Sequence, residues 1–236
     1  FFFQDFDEPW AKEYMQSKGL EDEQYITVVL RLPDRDRDGK DPTPGAKAVP
    51  GYIKQDMLSG MLDEKRLIDH MDKMKAFIDR WVQETGQKVL ILHETRCTLT
   101  RARERLWKIL SKQAQSHCVY MDEFVTPEQA YSLIQHSRML VSMEMHSVIM
   151  SLNVGTPTLH VPFAEAGRKR EMMRDIGAGD WLLDIDDCQA DDIFSTAMHI
   201  NDHYSEAKQR IQDILPGLEA RAIEVLHEVW TQWKSE

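Results

Sequence analysis

The sequence predicts an α/β fold with a doubly wound parallel sheet of about six strands and extra helices at its C-terminal end. Short apolar, β-branched segments alternate with helical patterns, which is typical of βαβ units. The strand-like segments are apolar on both faces, as in parallel sheets that helices cover on each side. Right-handed crossovers would place those helices on both faces of the sheet.

Six segments are predicted to be strands because apolar runs are bounded there by turn residues. They cover residues 25–32, 88–93, 118–121, 139–143, 158–161 and 181–185. The first reads Tyr-Ile-Thr-Val-Val-Leu-Arg-Leu, which is nearly all apolar and suits a strand buried on both faces. A loop rich in proline and glycine follows over residues 33–51, a length typical of functional loops.

The predicted helices follow from apolar residues that recur at steps of three and four. They cover residues 63–85, 99–115, a segment that starts at Thr126, and then 146–153, 168–176, 190–203 and 204–233. In the last of these, Pro216-Gly217 favours a break. We therefore expect an interdomain or linker segment over residues 1–22, an α/β domain over 23–203 and C-terminal helices over 204–236.

Composition and charge exclude several classes of protein. The 40 acidic and 29 basic residues give a net charge of −11, which argues against a general nucleic-acid binder. No apolar stretch approaches the roughly 18 residues of a membrane span. Three scattered cysteines without metal-ligand spacing favour a reducing, cytoplasmic environment, and we expect neither a metal nor a cofactor. The chain begins without Met, so we expect an upstream portion.

One motif resembles a calcium-binding loop without completing it. Asp34–Gly39 places carboxylates at positions 1, 3 and 5 and glycine at position 6. Position 12 is Gly45 instead of glutamate, and Pro42 and Pro44 obstruct an exiting helix. We interpret the segment as a solvated loop. Glycine-rich phosphate loops and the Gly-x-Ser-x-Gly elbow are also missing from the sequence, which argues against a classical dinucleotide site and an α/β-hydrolase.

Polar side chains follow several of the predicted strands, where parallel sheets bind their ligands. Arg31 ends the first strand, and His93-Glu94 follows the second. After the fourth strand, Ser142 reaches the sheet edge and a helix begins near His146-Ser147. Free N–H groups and the helix dipole favour an anion at such a helix start.

A basic cluster, Arg168-Lys169-Arg170, opens the next predicted helix. Cations at a helix N-terminus oppose the helix dipole, so this placement favours an anionic ligand. A solvated basic patch that pairs with Glu171 and Asp175 explains the cluster equally well.

The chain from about Asp5 to Asp187 resembles the C-terminal domain of polysaccharide pyruvyl transferases, and the most specific part of the resemblance lies between Arg138 and Asp187. The shared order is strand, polar-x-His, helix, Gly-x-Pro, strand, and a basic residue about nine positions before a glycine. That family has a two-domain architecture like the GT-B glycosyltransferases. The resemblance therefore implies that residues 23–203 form a Rossmann-like domain, the C-terminal half of a GT-B fold, and that an N-terminal Rossmann-like half is missing from this chain.

The resemblance also implies roles for individual residues. His146 matches the motif histidine, the expected proton donor, and Arg168 or Lys169 matches the downstream lysine, so these three are the predicted catalytic residues. Substrate contacts are expected from Arg31, His93, Ser142, Glu144 and Ser147. Glu144 stands where the family has the arginine of its Arg-x-His motif, which replaces a cation with an anion.

The function implied is transfer of a pyruvyl group from phosphoenolpyruvate to two hydroxyls of a saccharide acceptor, as a cyclic ketal. One alternative is a GT-B glycosyltransferase with a nucleotide-sugar donor, in which Glu144 and Glu165 bind sugar hydroxyls and the basic cluster holds the diphosphate. A second alternative is a non-catalytic domain derived from such enzymes, which the change to Glu144 favours.

Overall fold

The described strands form one parallel sheet in the order β3-β2-β1-β4-β5. The computed structural model describes residues 6–32 and 64–235. The strands are β1 (Tyr25–Val29), β2 (Lys88–Leu92), β3 (Cys118–Tyr120), β4 (Met139–Ser142) and β5 (Thr158–His160). Each neighbouring pair runs parallel, which confirms the predicted α/β class. The chain lays β2 and β3 on one side of β1, then crosses to place β4 and β5 on the other.

Nine α-helices occur in the described part of the chain. They are α1 (Glu8–Lys18), α2 (Glu64–Thr85), α3 (Arg96–Arg105), α4 (Lys112–His117), α5 (Pro127–Gln135), α6 (Met145–Asn153), α7 (Met172–Asp175), α8 (Ala190–Asp202) and α9 (Tyr204–Ser235). Short 3-10 segments cover Trp107–Ile109, Ala164–Glu171 and Gly179–Trp181. Helix α5 starts at a capping box, in which Thr126 and Gln129 exchange side-chain and backbone hydrogen bonds.

Two apolar cores, one on each face of the sheet, confirm the double winding. In β1, Ile26 and Val28 face a larger core that includes the buried faces of α2 and α8. Tyr25 and Val29 face a smaller core that includes α1 and α5. Successive side chains of a strand point to opposite faces, so a strand covered on both sides is apolar at every position.

The segment before β1, expected to be an interdomain or linker segment, contributes α1 to the smaller core. The side chain of Asp7 caps this helix by accepting a hydrogen bond from the backbone N–H of Trp10, at 3.3 Å. Ala11 and Met15 are buried against the sheet. The helix ends at Gly19, whose φ of 61° is a conformation that glycine adopts without strain.

Within the described residues the sheet has five strands, so the prediction of about six was high by one. The predicted strand over residues 181–185 pairs with β5 only through a single bridge between His160 and Leu182. Leu183 donates to the carbonyl of His160 at 3.0 Å, and Ile185 donates to that of Pro162 at 2.9 Å. Because Pro162 has no N–H to return, the ladder cannot continue.

Two predicted helices are divided in the structure. Residues 99–115, predicted as one helix, belong to α3, a 3-10 turn and α4, which Ser111 caps. Residues 168–176, also predicted as one helix, lie partly in the 3-10 segment and partly in α7. Gly167, with φ 60° and ψ −143°, interrupts that 3-10 segment. The basic cluster therefore lies in the last turn of a 3-10 segment, which removes the dipole argument for an anion there.

The described C-terminal residues form one continuous helix, α9. It runs through Pro216, so the break predicted at Pro216-Gly217 is absent from this helix. Its second half carries exposed apolar side chains, among them Leu226, Trp230 and Trp233. No helix in residues 6–32 and 64–235 has both the length and the apolar character needed to cross a bilayer. The calcium-like motif Asp34–Gly39 lies outside the described residues.

Candidate functional site

A cleft of about 430 Å³ opens at the carboxyl ends of the central strands. Its walls come from the ends of β2, β1 and β4, which are neighbours in the sheet, and from the 3-10 segment after β5. Residues that line it include Arg31, Glu94, Thr95, Glu144, His146, Phe163, Ala166 and Lys169. The cleft lies where the chain order reverses around β1, the position at which open parallel sheets bind ligands.

Arg31 and Glu144 form an ion pair in this cleft. The distance between Nη1 of Arg31 and Oε1 of Glu144 is 2.6 Å, and their side chains are 22% and 14% exposed. Burial raises the pKa of the Glu144 carboxyl; Arg31 and His146 lower it in part, and the nearby charge of Glu94 raises it. A cation after β1 is thus matched by an anion directly before α6.

A tight turn connects β4 to α6. The hydroxyl of Ser142 accepts a hydrogen bond from the Glu144 N–H at 2.9 Å and donates to the Glu144 carbonyl at 2.8 Å. Ser142 is fully buried and is absent from the cleft lining. Although it was predicted to bind substrate, its contacts here are those of a turn residue that sets the start of α6.

The N-terminus of α6 is capped by a carboxylate from another loop. Oε1 of Glu94 accepts hydrogen bonds from the Ser147 N–H, at 2.6 Å, and from the Ser147 hydroxyl. Oε2 of Glu94 lies 3.4 Å from Nδ1 of His146, whose side chain is 70% exposed. The anion position at this helix start, expected to hold a substrate group, therefore already contains a protein carboxylate.

Glu94, Glu144 and His146 lie close enough to share a cation, since one ligand atom of each lies within 4.8 Å of the others. Carboxylate oxygens and imidazole nitrogen are ordinary ligands for divalent metals. In the structure, however, Glu144 is paired with Arg31 and Glu94 is bonded to Ser147. Each of these two carboxylates therefore already has one oxygen bonded within the protein.

The 3-10 segment after β5 forms the remaining wall. Asp186 anchors its start by accepting from the Ala164 N–H at 3.0 Å. Asp186 also contacts Arg66 and, at 2.7 Å, Nε2 of His70. These bonds hold the pKa of the Asp186 carboxyl far below its usual range, although burial opposes them.

The three basic residues of this segment have different surroundings. Lys169 lines the cleft, and no described side chain forms an ion pair with it. Arg170 pairs with Asp184 and Glu171. Arg168 is exposed and lies outside the cleft lining. Of the two residues matched to the family lysine, the geometry therefore favours Lys169.

His93 lies behind the cleft. It is 4% exposed, and its ring packs on Tyr120 with 4.8 Å between the ring centroids. Burial lowers the pKa of His93 to about 4, although the backbone of Met121 offsets part of this effect. Its ring nitrogens have no well-formed hydrogen bond with the described residues. His93 therefore contributes packing beneath the site and has no surface in the cleft.

Sequence reasoning brought Arg31, Glu144, His146, Ser147 and Lys169 to one edge of the sheet, and the structure places all five there. Glu94 was also expected at this edge, but no role at the site was assigned to it. The available signal was its position two residues after β2, a strand that neighbours β1.

Comparisons with known proteins identify the family and show likeness in fold. The sequence model of the family "Polysaccharide pyruvyl transferase" matches residues 41–163, which is more than half of the chain and contains Glu94, Glu144 and His146. No curated protein sequence gives a significant match.

Solved structures show likeness in fold at low sequence identity. The UDP-GlcNAc 2-epimerase from Methanocaldococcus jannaschii has a TM-score of 0.51 and 9% identity, with 81% of this chain and 42% of that chain covered. The S. aureus MnaA-UDP co-structure has a TM-score of 0.48 and 10% identity, covering 84% and 42%. The E. coli ADP-heptose heptosyltransferase II has a TM-score of 0.40 and 14% identity, covering 67% and 39%.

The described sheet therefore has the α/β fold expected of one half of a GT-B-like structure, and the chain spans about 42% of the first neighbour's length. The family match over residues 41–163, which is more than half of the chain, carries the assignment. The chain belongs to the polysaccharide pyruvyl transferase family.

Proposed function

We propose that this chain carries the donor site of a transferase that moves a pyruvyl group from phosphoenolpyruvate to two sugar hydroxyls. The observation that carries the proposal is the position of His146. It stands at the exposed start of α6, inside the region matched by the family, in a cleft that also contains Arg31 and Lys169. An imidazole beside cationic side chains suits acid catalysis on an anionic substrate.

In the proposed reaction, His146 donates a proton to C3 of the enol and C2 becomes oxocarbenium-like. A sugar hydroxyl forms a bond to C2, the bond from C2 to the phosphate oxygen breaks, and a second hydroxyl closes the ketal. Two hydroxyl protons are released. One replaces the proton that His146 gave to C3, and the other leaves with the phosphate, so no oxidant or cofactor is required.

Arg31 and Lys169 are the proposed donor-binding cations. Lys169 faces the cleft without an ion-pair partner among the described residues, so it can attract phosphate as a point charge. Arg31 offers the two-pronged geometry that suits a carboxylate, and the carboxylate of phosphoenolpyruvate would compete with Glu144 for it. Arg168, exposed just outside the lining, is assigned a supporting electrostatic role.

For the saccharide acceptor we propose a site completed by a second, N-terminal Rossmann-like half, as the family's two-domain architecture implies. For location we propose the cytoplasm. The thiols of Cys118 and Cys188 are buried and free, which suits a reducing compartment.

Glu144 supports a second candidate, a GT-B glycosyltransferase with a nucleotide-sugar donor. This carboxylate lies in the cleft where the family motif has a cation. Carboxylates accept hydrogen bonds from ribose and sugar hydroxyls. In that case Lys169 would neutralise the diphosphate.

Donor binding distinguishes the two candidates. A ligand present at 100 times its Kd stabilises the folded state by about 2.7 kcal/mol, which raises Tm measurably. We expect phosphoenolpyruvate to raise Tm, Lys169→Ala to abolish that rise and His146→Ala to retain it. A rise in Tm with UDP-sugars and none with phosphoenolpyruvate would overturn the first candidate in favour of the second.

Turnover tests the role of His146. In the protein that includes the proposed N-terminal half, with methyl hexosides as acceptors and phosphate release as the signal, His146→Ala should lower turnover by roughly 10²–10⁴-fold. His227→Ala, which removes an exposed histidine of α9, is the matched control and should leave turnover unchanged. If neither donor binds at millimolar concentration, the chain is the non-catalytic domain of the remaining alternative.

A further inference from the structure

Glu94 reaches the start of α6 from a different part of the sheet. It follows β2, whereas α6 follows β4, and β1 lies between these two strands. Its side chain therefore spans the end of the central strand, and it is 17% exposed. A carboxylate that is largely removed from water needs hydrogen-bond donors, and α6 supplies them.

The two oxygens of Glu94 have separate partners. Oε1 receives both donors of Ser147, the backbone N–H at 2.6 Å and the hydroxyl. Oε2 is left for His146, with its Nδ1 at 3.4 Å. The bonds to Ser147 fix the carboxylate, and the fixed carboxylate then presents an acceptor to the imidazole. The distance of 3.4 Å exceeds a formed hydrogen bond, as is common for catalytic pairs before substrate closes the site.

An acceptor beside Nδ1 selects one tautomer of the neutral imidazole. The proton is favoured on Nδ1, where Oε2 of Glu94 can accept it, and Nε2 is left for the reacting group. The other charged groups that line the cleft with this ring include Glu144, which Arg31 engages, and Lys169 of the 3-10 segment. Neither bonds to the His146 ring, so Glu94 is the group that orients it among the described residues.

We propose that Glu94 is the positioning residue of His146: it fixes the ring and its Nδ1–H tautomer so that Nε2 exchanges the proton with substrate. The role in turnover rests on the proposed function, while the tautomer does not. The same carboxylate fills the anion position of the α6 N-terminus. Substrate phosphate is therefore expected on the side of Lys169, away from that helix start.

The variant Glu94→Gln tests this directly. The amide oxygen can still accept from Ser147, so the cap of α6 is kept, but the group facing Nδ1 becomes an NH₂ donor. Ser147→Ala is the matched control, because it removes one of the two Ser147 donors and keeps the carboxylate beside His146. In ¹⁵N spectra of the full chain at alkaline pH, where only neutral imidazoles remain, His146→Asn assigns the His146 signals.

We expect the Nδ1–H tautomer of His146 in the unmodified chain and in Ser147→Ala, and the Nε2–H tautomer in Glu94→Gln. Unchanged His146 signals in Glu94→Gln would overturn the proposal, whatever the activity. If Glu94→Gln does not fold, Glu94→Asp replaces it: the shorter carboxylate keeps the charge but retreats from Nδ1, so an unchanged tautomer population there would also overturn the proposal.

Kinetics give the second readout. Glu94→Gln should lower kcat about 10–100-fold with little change in KM for phosphoenolpyruvate, since positioning affects proton transfer more than donor binding. Glu104→Gln, which neutralises an exposed glutamate of α3 that does not line the cleft, should leave kcat unchanged. A rise in KM with kcat unchanged would overturn the positioning role. If the His146 tautomer shifts in Glu94→Gln but the chain binds no phosphoenolpyruvate, the positioning role of Glu94 is supported and the proposed function is refuted.

Discussion

His160 is a buried histidine whose protonation should make the fold sensitive to acid. It lies on β5 with no exposed surface. Its Nδ1 lies 3.0 Å from the carbonyl of Ser142 and donates to it, while Nε2 has no partner among the described residues. Burial lowers the pKa of His160 to about 4, and the bond to Ser142 offsets part of this effect.

The sign and size of the effect follow from the difference between folded and unfolded states. The unfolded chain takes up this proton near pH 6.5, whereas the folded chain takes it up only near pH 4. The contribution of neutral His160 to the free energy of unfolding is therefore fully present above pH 6.5 and is lost as the pH drops towards 4. Within that window this single proton lowers the free energy of unfolding by about 1.4 kcal/mol per pH unit, or roughly 3 kcal/mol in total.

The test is His160→Asn, followed by urea unfolding at pH 7.5, 6.5, 5.5 and 4.5. The asparagine amide keeps a donor near the Nδ1 position for the Ser142 carbonyl but cannot take up a proton. The free energy of unfolding of the variant should fall about 1.4 kcal/mol less per pH unit below pH 6.5. His227→Asn, at an exposed position, controls for loss of a histidine that folding does not bury. Parallel pH curves for His160→Asn and the unmodified chain would refute the reasoning.

Three further variants, with Asp191→Asn as a control for the first, are tested by urea unfolding at pH 7. Asp186→Asn, which removes a 22% exposed carboxylate with three partners, should lower the free energy of unfolding by about 2–3 kcal/mol. Asp191→Asn, in an exposed ion pair, should lower it by under about 0.5 kcal/mol. Equal losses in the two variants would contradict this reasoning. The difference in free energy of unfolding between the unmodified chain and Asp186→Asn should shrink below about pH 4. The partners of Asp186 stabilise the fold only while this carboxylate is ionised, as its lowered pKa reflects. Tyr25→Phe leaves the buried carbonyl of Leu133 without its donor and should cost about 1–2 kcal/mol; no loss would mean that this hydrogen bond is not made in solution. Trp233→Ala, at a side chain 65% exposed, should change stability by less than about 0.5 kcal/mol, and a larger loss would show that α9 is covered in solution.

The strands were predictable because burial on both faces leaves a continuous apolar run. β1, β2, β4 and β5 lie within their predicted ranges for this reason. The prediction of a sixth strand was wrong because strand pairing also needs a hydrogen-bond donor on the neighbouring strand, which local hydrophobicity does not report. Leu182 lies beside β5, but Pro162 cannot return a hydrogen bond, so an apolar segment in the right place forms only a bridge.

The candidate site was predictable to the level of which residues meet, because parallel strands end at the same edge of a sheet. Which side chains face the cleft was harder to predict. His93 and Ser142 lie at the same edge as Arg31 but turn into the interior. The bond from Glu94 to Ser147 depends on reach across β1, which sequence spacing does not encode.

The position of β1 at the centre of the sheet also affects how the protein emerges from the ribosome. Ile26 pairs with Met139, more than a hundred residues later in the chain. The edge of β1 that pairs with β4 therefore lacks this partner until β4 has been synthesised. At about 5–20 residues per second that wait lasts many seconds, during which an apolar strand edge is available to other chains. Arg31 can meet Glu144 only after it ends, which makes the cleft among the last features to form during translation.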